Sequence, residues 1–527
     1  MKELKLEELT LKQKLGQVMI GFVHSCADFE EDWAYALDLI KNRALGAIWV
    51  HPNLKENFSR VMNEIKENAD YPILIMTDAE SGLGEHLIGR HNPLGMTDRE
   101  DLAYAFGKVT AVTARKLGYN TICNPLLDMV NGEGICGGNV RALGSDKHRV
   151  TALAKAEARA IHDAGILTVA KHYPSAKGGR VDSHMAEDFS NVTEAELIDY
   201  NLFPYIELIK EDLLDGIMVG HQKIPSIDPD HPASVSKKVN DVIRNQGFKG
   251  FAITDALDMG GIKTKYGATL SKGYAIAGGI DIALPWCPNK QAYEAMIESY
   301  EKGIITDERL NEAVTRVIEA QHKTLKAPKF TDFTTEDLEK IELINKDSIF
   351  ATADEGLSYS ISKEGKHLFV VMVNQGTDVS DEGKISLNTF SNSWYKPAEY
   401  IEKLEKMFPN SKTFAIPQFP TPYESKRAID TAPDYDDVVF VSFFDPFPYV
   451  GRERHTPRIL SLLDAFDVNK KISCVLHFGT PYVLCDFPHV PRIIIGGCST
   501  ASMDSALEVL AGNYPAKGKL TYDVKFN

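Results

Sequence analysis

The sequence predicts an α/β protein: a (β/α)8 TIM-like barrel followed by a C-terminal α/β sandwich domain. Three observations carry this. Short apolar stretches alternate with longer amphipathic ones from the start to about residue 325, giving eight strand signals. Five of the eight end in titratable residues, and a barrel of this kind gathers its chemistry at the carboxyl-terminal ends of its strands. Beyond residue 355 the pattern changes to four apolar strands separated by longer helical or irregular connections. A doubly wound sheet is the rival, but it calls for G-x-G-x-x-G after its first strand, and that motif is absent there.

The barrel strands are expected at residues 17–23, 47–50, 73–77, 119–123, 166–170, 216–219, 251–254 and 281–284. Leu102, Phe106, Val109 and Val112 mark one intervening helix; residues 153–161 and 236–244 mark two more. The last barrel helix carries Leu310, Val314, Val317 and Ile318 behind the N-cap Thr306, and Ala327-Pro328 ends it. Residues 1–330 therefore form the barrel and 331–355 a polar linker with some helix. Residues 356–527 form the second domain, with strands at 367–374, 437–443, 472–478 and 492–496 and a helix at 502–511.

Composition narrows the function. The 527 residues suit two or three domains, and 43% hydrophobic with 25% charged residues is a globular balance. A net charge of −16 argues against nucleic acid or an anionic membrane as partner. The N-terminal stretch lacks a continuous apolar h-region, and no run is long enough to span a membrane. The seven cysteines are scattered without a C-x-x-C pair, as reduced thiols in a cytoplasmic protein would be. No metal-ligand spacing appears, and no cofactor is implied.

The chemistry concentrates at residues 166–184, ILTVAKHYPSAKGGRVDSH. A buried strand breaks into Lys171-His172-Tyr173-Pro174, then a loose stretch, then Asp182-Ser183-His184. Two residues apart in an extended loop, Asp182 and His184 face the same way, so the carboxylate can orient the imidazole as a proton donor. Asp78 and Glu80, Asn124 and Asp128, His221, and Asp255 stand at the ends of four other strands. A lone polar residue after a strand is ordinarily a cap or turn former; five strands of eight ending so is a pattern.

Lys171 to His184 resembles the strand-five motif of glycoside hydrolase family 3, in the branch of bacterial exo-β-N-acetylglucosaminidases: K-H-F-P-G-H-G-x-T-x-x-D-S-H, with the same overall spacing. Thr254-Asp255-Ala256-Leu257-Asp258-Met259-Gly260-Gly261 resembles that branch's S-D-D-L-S-M-x-G. Asp78-Ala79-Glu80-Ser81-Gly82 is similar to D-x-E-G-G, Arg141 to Asp146 to R-S-F-G-S-D, and Gly479-Thr480-Pro481-Tyr482 to part of the family's second domain. Three departures stand out: Ser175-Ala176-Lys177-Gly178-Gly179 replaces G-H-G-x-T, Thr254 replaces Ser, and Asp258 replaces Ser.

The resemblance implies a retaining exo-β-N-acetylglucosaminidase acting on terminal β-linked GlcNAc of glycoconjugates or cell-wall fragments. Asp255 would be the nucleophile, and His184 the acid and base with Asp182 orienting it. Asp78, Arg141, Lys171, His172 and His221 would surround the sugar, with Asp128, Met129 and Trp286 shaping the pocket. Two other readings compete: phosphorolysis of the same linkage with the same dyad, and a carbohydrate-binding relative without catalysis. Gly178 and Gly179 lead us to expect a loop at residues 175–180 that moves more than its strand.

Overall fold

The computed structural model describes residues 1–23, 29–54, 56–90, 92–130, 138–175, 181–374, 376–379, 382–388, 395–444, 449 and 454–527. Contacts group the chain into two compact units. The first holds residues 1–86, 103–129 and 146–338, and the second 87–102, 130–145 and 339–527. Residues 87–102 and 130–145, within the expected barrel range, group with the C-terminal part of the chain, and the expected linker 331–355 divides between the units after residue 338. Met96, for example, is buried in the second unit's core beside Leu368 and Val370.

In the first unit, β1 (Ile20–Val23), β2 (Ala47–Val50), β3 (Leu74–Asp78), β4 (Thr121–Cys123), β5 (Leu167–Tyr173), β6 (Gly216–Val219) and β7 (Phe251–Thr254) form one sheet in chain order. Every pair is parallel. The eighth predicted strand exists only as single bridges, Ile282 to Ile253 and Ala283 to Met19. Ile20 N donating to Ala283 O (2.9 Å) and Ile282 N to Ala252 O (3.0 Å) nevertheless join the last strand back to the first. Alternation follows from the pleat. Ile20 and Phe22, Ala47 and Trp49, Leu74 and Met76, Leu167 and Val169, and Phe251 and Ile253 fill one interior core with Ile282 and Leu284. The helices obey the expected signals. Thr306 caps Asp307–Lys323 through Arg309 N, and Ser236 caps Lys237–Asn245 through Val239 N.

The second unit's main sheet uses β8 (Phe350–Ala353), β9 (His367–Asn374), β12 (Lys412–Pro417), β13 (Asp437–Phe444), β14 (Ile472–Gly479) and β15 (Arg492–Gly496). Between β9 and β12 the chain adds an antiparallel hairpin, β10 (Gly376–Val379) with β11 (Ile385–Asn388). The sheet order is β12-β9-β13-β14-β15-β8, and only β8 runs antiparallel to its neighbour. Leu368, Val370 and Met372 face one core, while Phe369 and Val371 face another. With both faces buried, these strands read as continuous apolar runs. The stretch 331–355 carries the helix Thr335–Asp347 as well as β8. Among the described residues no helix is long and apolar enough to cross a membrane.

One polar chain crosses the buried sheet. His477 Nε2 donates to Thr480 O (2.8 Å), which leaves Nδ1 to accept from Ser442 Oγ (2.9 Å). Ser442 in turn accepts from His455 Nε2 (2.8 Å). Burial pushes His455 down to about 3 and His477 to about 4, from an ordinary 6.5. Both are neutral when folded, so their effect on stability is absent above pH 6.5. Below it, the unfolded chain binds protons that the folded chain refuses, and stability falls. Urea unfolding should show the protein losing about 1 kcal/mol per histidine between pH 7.5 and 5.5. His477→Gln should flatten that slope; an unchanged slope would remove the histidines from the account.

Candidate active site

The alternation that fills the barrel also selects the side chains at its rim. Continuing the interior rows by one step, 74-76-78 ends on Asp78, 167-169-171 on Lys171 and 251-253-255 on Asp255. Lys171 is 1% exposed at its side chain and its ammonium bonds Asp78 and, at 2.8 Å, Glu80. Asp78 is 54% exposed and so reaches both the ammonium and the open rim. Glu80 is the partner that strand-end reading did not assign a role; its signal was a second carboxylate two residues beyond the first.

Lys171 also fixes the next loop through its backbone. Leu127 N donates to Lys171 O (2.7 Å), and Lys171 N to Pro125 O (3.3 Å). This seats Asp128, buried, whose carboxylate accepts from His172 N (3.1 Å) and His172 Nδ1 (3.0 Å). Asp128 is thereby the residue that sets the orientation of His172. Ser175, where the family pattern has Gly, keeps a left-handed backbone at φ +59° and is buried. Its hydroxyl donates to Leu127 O (3.1 Å) and accepts from Met129 N (2.8 Å), while Asn201 Nδ2 donates to its carbonyl (2.7 Å). Residues 176–180, including Gly178 and Gly179 of the expected mobile loop, lie outside the described residues.

Asp255 follows β7. Its amide donates to Val219 O (2.8 Å), and its own carboxylate accepts from Ala256 N (2.8 Å). Burial would raise its pKa, but the electrostatic influence of the neighbouring imidazoles of His172, His221 and His184, with the Ala256 amide, holds it below the ordinary carboxylate range. Asp258 goes the other way: burial pushes it up and the nearby Asp255 charge adds to this. Thr254, at the pattern's Ser, is buried and accepts from Leu284 N (2.9 Å).

His221 is buried with both nitrogens engaged: Nε2 donates to Ala256 O (2.8 Å) and Nδ1 accepts from Ser234 Oγ (2.8 Å). Its geometry is that of a brace under the Asp255 loop. Asp182, wholly buried at its side chain, accepts through Oδ1 from both His184 N (2.9 Å) and His184 Nδ1 (2.8 Å). Met129 is buried, and the half-exposed Trp286 packs its ring 3.9 Å from that of Phe22. Arg141 ends the short helix Gly138–Arg141, whose contacts group it with the second unit.

Residues 10–320 match the family model described as the glycosyl hydrolase family 3 N terminal domain, more than half of the chain. The chain belongs to glycosyl hydrolase family 3. It is a glycoside hydrolase. Among the proteins it resembles is a β-hexosaminidase, LpqI, of Mycobacterium tuberculosis, 28% identical over 340 residues, covering 61% of this chain and 84% of that one. A β-hexosaminidase of Tolumonas auensis is 28% identical over 257 residues, 47% of this chain and 76% of its own. A family 3 β-N-acetylglucosaminidase structure from Paenibacillus sp. str. FPU-7 shares the fold at TM-score 0.80 and 23% identity, over 98% of this chain and all of that one. The β-glucoside phosphorylase BglX bound to 2FGlc does so at TM-score 0.79 and 23% identity, over 98% and 95%.

Removing a buried cation strands its partners. Lys171→Met should lower unfolding stability by about 3 kcal/mol, because Glu80 remains buried without its ammonium. Asp78→Asn, altering a carboxylate half open to water, should cost about 1 kcal/mol or less. Denaturant titration of the two variants checks this; equal losses would show that Asp78, not Glu80, carries the pairing.

Proposed function

We propose that this glycoside hydrolase is a retaining exo-β-N-acetylglucosaminidase that releases terminal β-linked GlcNAc from glycoconjugates or cell-wall fragments. The observation that carries the reading is the Asp182–His184 pair on one flank and the low-pKa Asp255 on the other. A retaining enzyme needs a nucleophile on one side of the anomeric carbon and a proton donor at the leaving oxygen. Asp255, ionised throughout the neutral range, attacks the anomeric carbon as the bond to the leaving oxygen breaks. His184 passes the departing oxygen a proton from Nε2, since Asp182 engages Nδ1. In the second step His184 takes a proton from water, the hydroxide displaces Asp255, and the sugar leaves with its original configuration.

Asp78, Lys171 and His172 hold sugar hydroxyls in this reading, Asp128 keeps His172 in place, and His221 braces the nucleophile's loop. The preference for GlcNAc is supported by the β-hexosaminidase names of two relatives. A cytoplasmic setting is supported by Cys123 and Cys474, buried thiols outside any disulfide.

Asp255→Ala should remove nearly all turnover for every leaving group. His184→Ala should depend on the leaving group: a dinitrophenolate departs unaided, whereas an alkoxide needs the proton, so an alkyl β-GlcNAc glycoside loses about 10²-fold or more in relative kcat/KM. Equal proportional losses on the two glycosides would withdraw His184 as the acid. Running both with and without inorganic phosphate separates the mechanisms, because release of a sugar phosphate in place of free sugar would make the enzyme a phosphorylase.

A further inference from the structure

The turn that carries Asp182 and His184 is closed on itself. Met185 N and Ala186 N both donate to Asp182 O (2.9 and 3.1 Å), and the Asp182 carboxylate accepts from His184 N and Nδ1. The turn is also docked. Gly260 N donates to His184 O (2.9 Å) and Gly261 N to Ser183 O (2.9 Å). These two glycines lie five and six residues beyond Asp255, in the first turn of the helix Gly260–Tyr266. First-turn amides have no partner within their own helix, and the preceding Met259 offers no capping side chain. The backbone of the Asp182–His184 turn supplies the acceptors.

Glycine is required here by proximity rather than by dihedral angle, since neither residue has a positive φ. A Cβ on Gly260 would stand 2.2 Å from Met185 O and 2.4 Å from Met185 C, both main-chain atoms that cannot swing aside. On Gly261 it would meet Ser183 O at 2.9 Å and Ala186 O at 3.2 Å. Gly260 moreover occupies the position that the M-x-G pattern leaves open, so its smallness is a feature of this chain.

We infer that Gly260 and Gly261 are positioning residues: their amides clamp the Asp182–His184 turn onto the segment bearing Asp255 and so set the span between nucleophile and acid. This rests on the catalytic roles proposed above. The clamp acts through main chain only, so it holds the two reacting groups in register whatever sequence joins Ser175 to Val181. Its loss displaces His184 without touching Asp255.

Gly260→Ala tests this, with Gly261→Ala as the milder variant should the first fail to fold, and Gly267→Ala at the far end of the same helix as control. Two readouts are needed. Hydrogen-exchange mass spectrometry should show faster amide exchange across residues 182–189 in the Gly260 or Gly261 variant and not in the control. The ratio of kcat/KM for a dinitrophenyl over an alkyl β-GlcNAc glycoside should rise by about 10–10²-fold, towards that of His184→Ala, as expected when a proton donor is misplaced by about 1 Å. A folded variant with unchanged exchange, or with equal proportional losses on both glycosides while His184→Ala discriminates between them, overturns the clamp. If His184→Ala itself fails to discriminate, the catalytic reading falls, and the exchange data alone then decide whether the glycines hold the turn.

Discussion

The buried ammonium of Lys171 is the interaction on which the rest of the candidate site depends. A cation taken out of water is tolerable only beside close counter-charges, and Asp78 and Glu80 supply them from the end of a strand two places away. The pairing ties β3 to β5 across β4. The same residue's carbonyl and amide then seat residues 125–127, which brings Asp128 under His172. The imidazole of His172 is the first of the neighbours that lower the pKa of Asp255. A single ion cluster at the end of one strand therefore propagates through backbone contacts to the Asp255 carboxylate on another.

Much of this was legible because barrel strands alternate strictly. A reader who recognises the apolar rows can continue them one step and arrive at Asp78, Lys171 and Asp255. What alternation cannot convey is which partner a rim residue takes. His221 follows a strand as a sugar-binding residue would, yet its ring is committed to Ser234 and to Ala256, 13 and 35 residues away. The apolar stretch at 281–284 has the composition of a strand but makes only isolated bridges. In the second unit, β12 and β8 escaped notice for the opposite reason. They are the sheet's edges, half exposed along their length, so their sequences KTFAIP and FATA lack the unbroken apolar run of the central strands. The buried strands β9 and β15 were legible to the residue.

The departures from the family pattern look less disruptive in three dimensions than on the page of sequence. Ser175 keeps the left-handed backbone that a glycine provides. Its strain, on the order of 1 kcal/mol, is offset by three hydrogen bonds, two joining the loops after β4 and β5 and the third from Asn201. Asp258 introduces an acid beside Asp255 where the pattern has an uncharged serine. Burial, with the nearby Asp255 charge adding to it, pushes its pKa upward. Thr254 retains the hydroxyl of the serine it replaces and uses it on Leu284 N.

The two stretches at residues 87–102 and 130–145 have a consequence for how the chain is made. Their partners come late in the sequence: Lys519 N donates to Met96 O, Tyr522 OH to Ala142 O and Ser145 Oγ to Thr521 O, contacts spanning up to 423 residues of sequence. A ribosome working at about 5–20 residues per second exposes both stretches for tens of seconds before the residues that receive them exist. The second unit thus cannot complete itself before residues 519–522 have been made, and a protein cut at residue 338 would keep two segments whose core-forming side chains, Met96 among them, have nothing to enter.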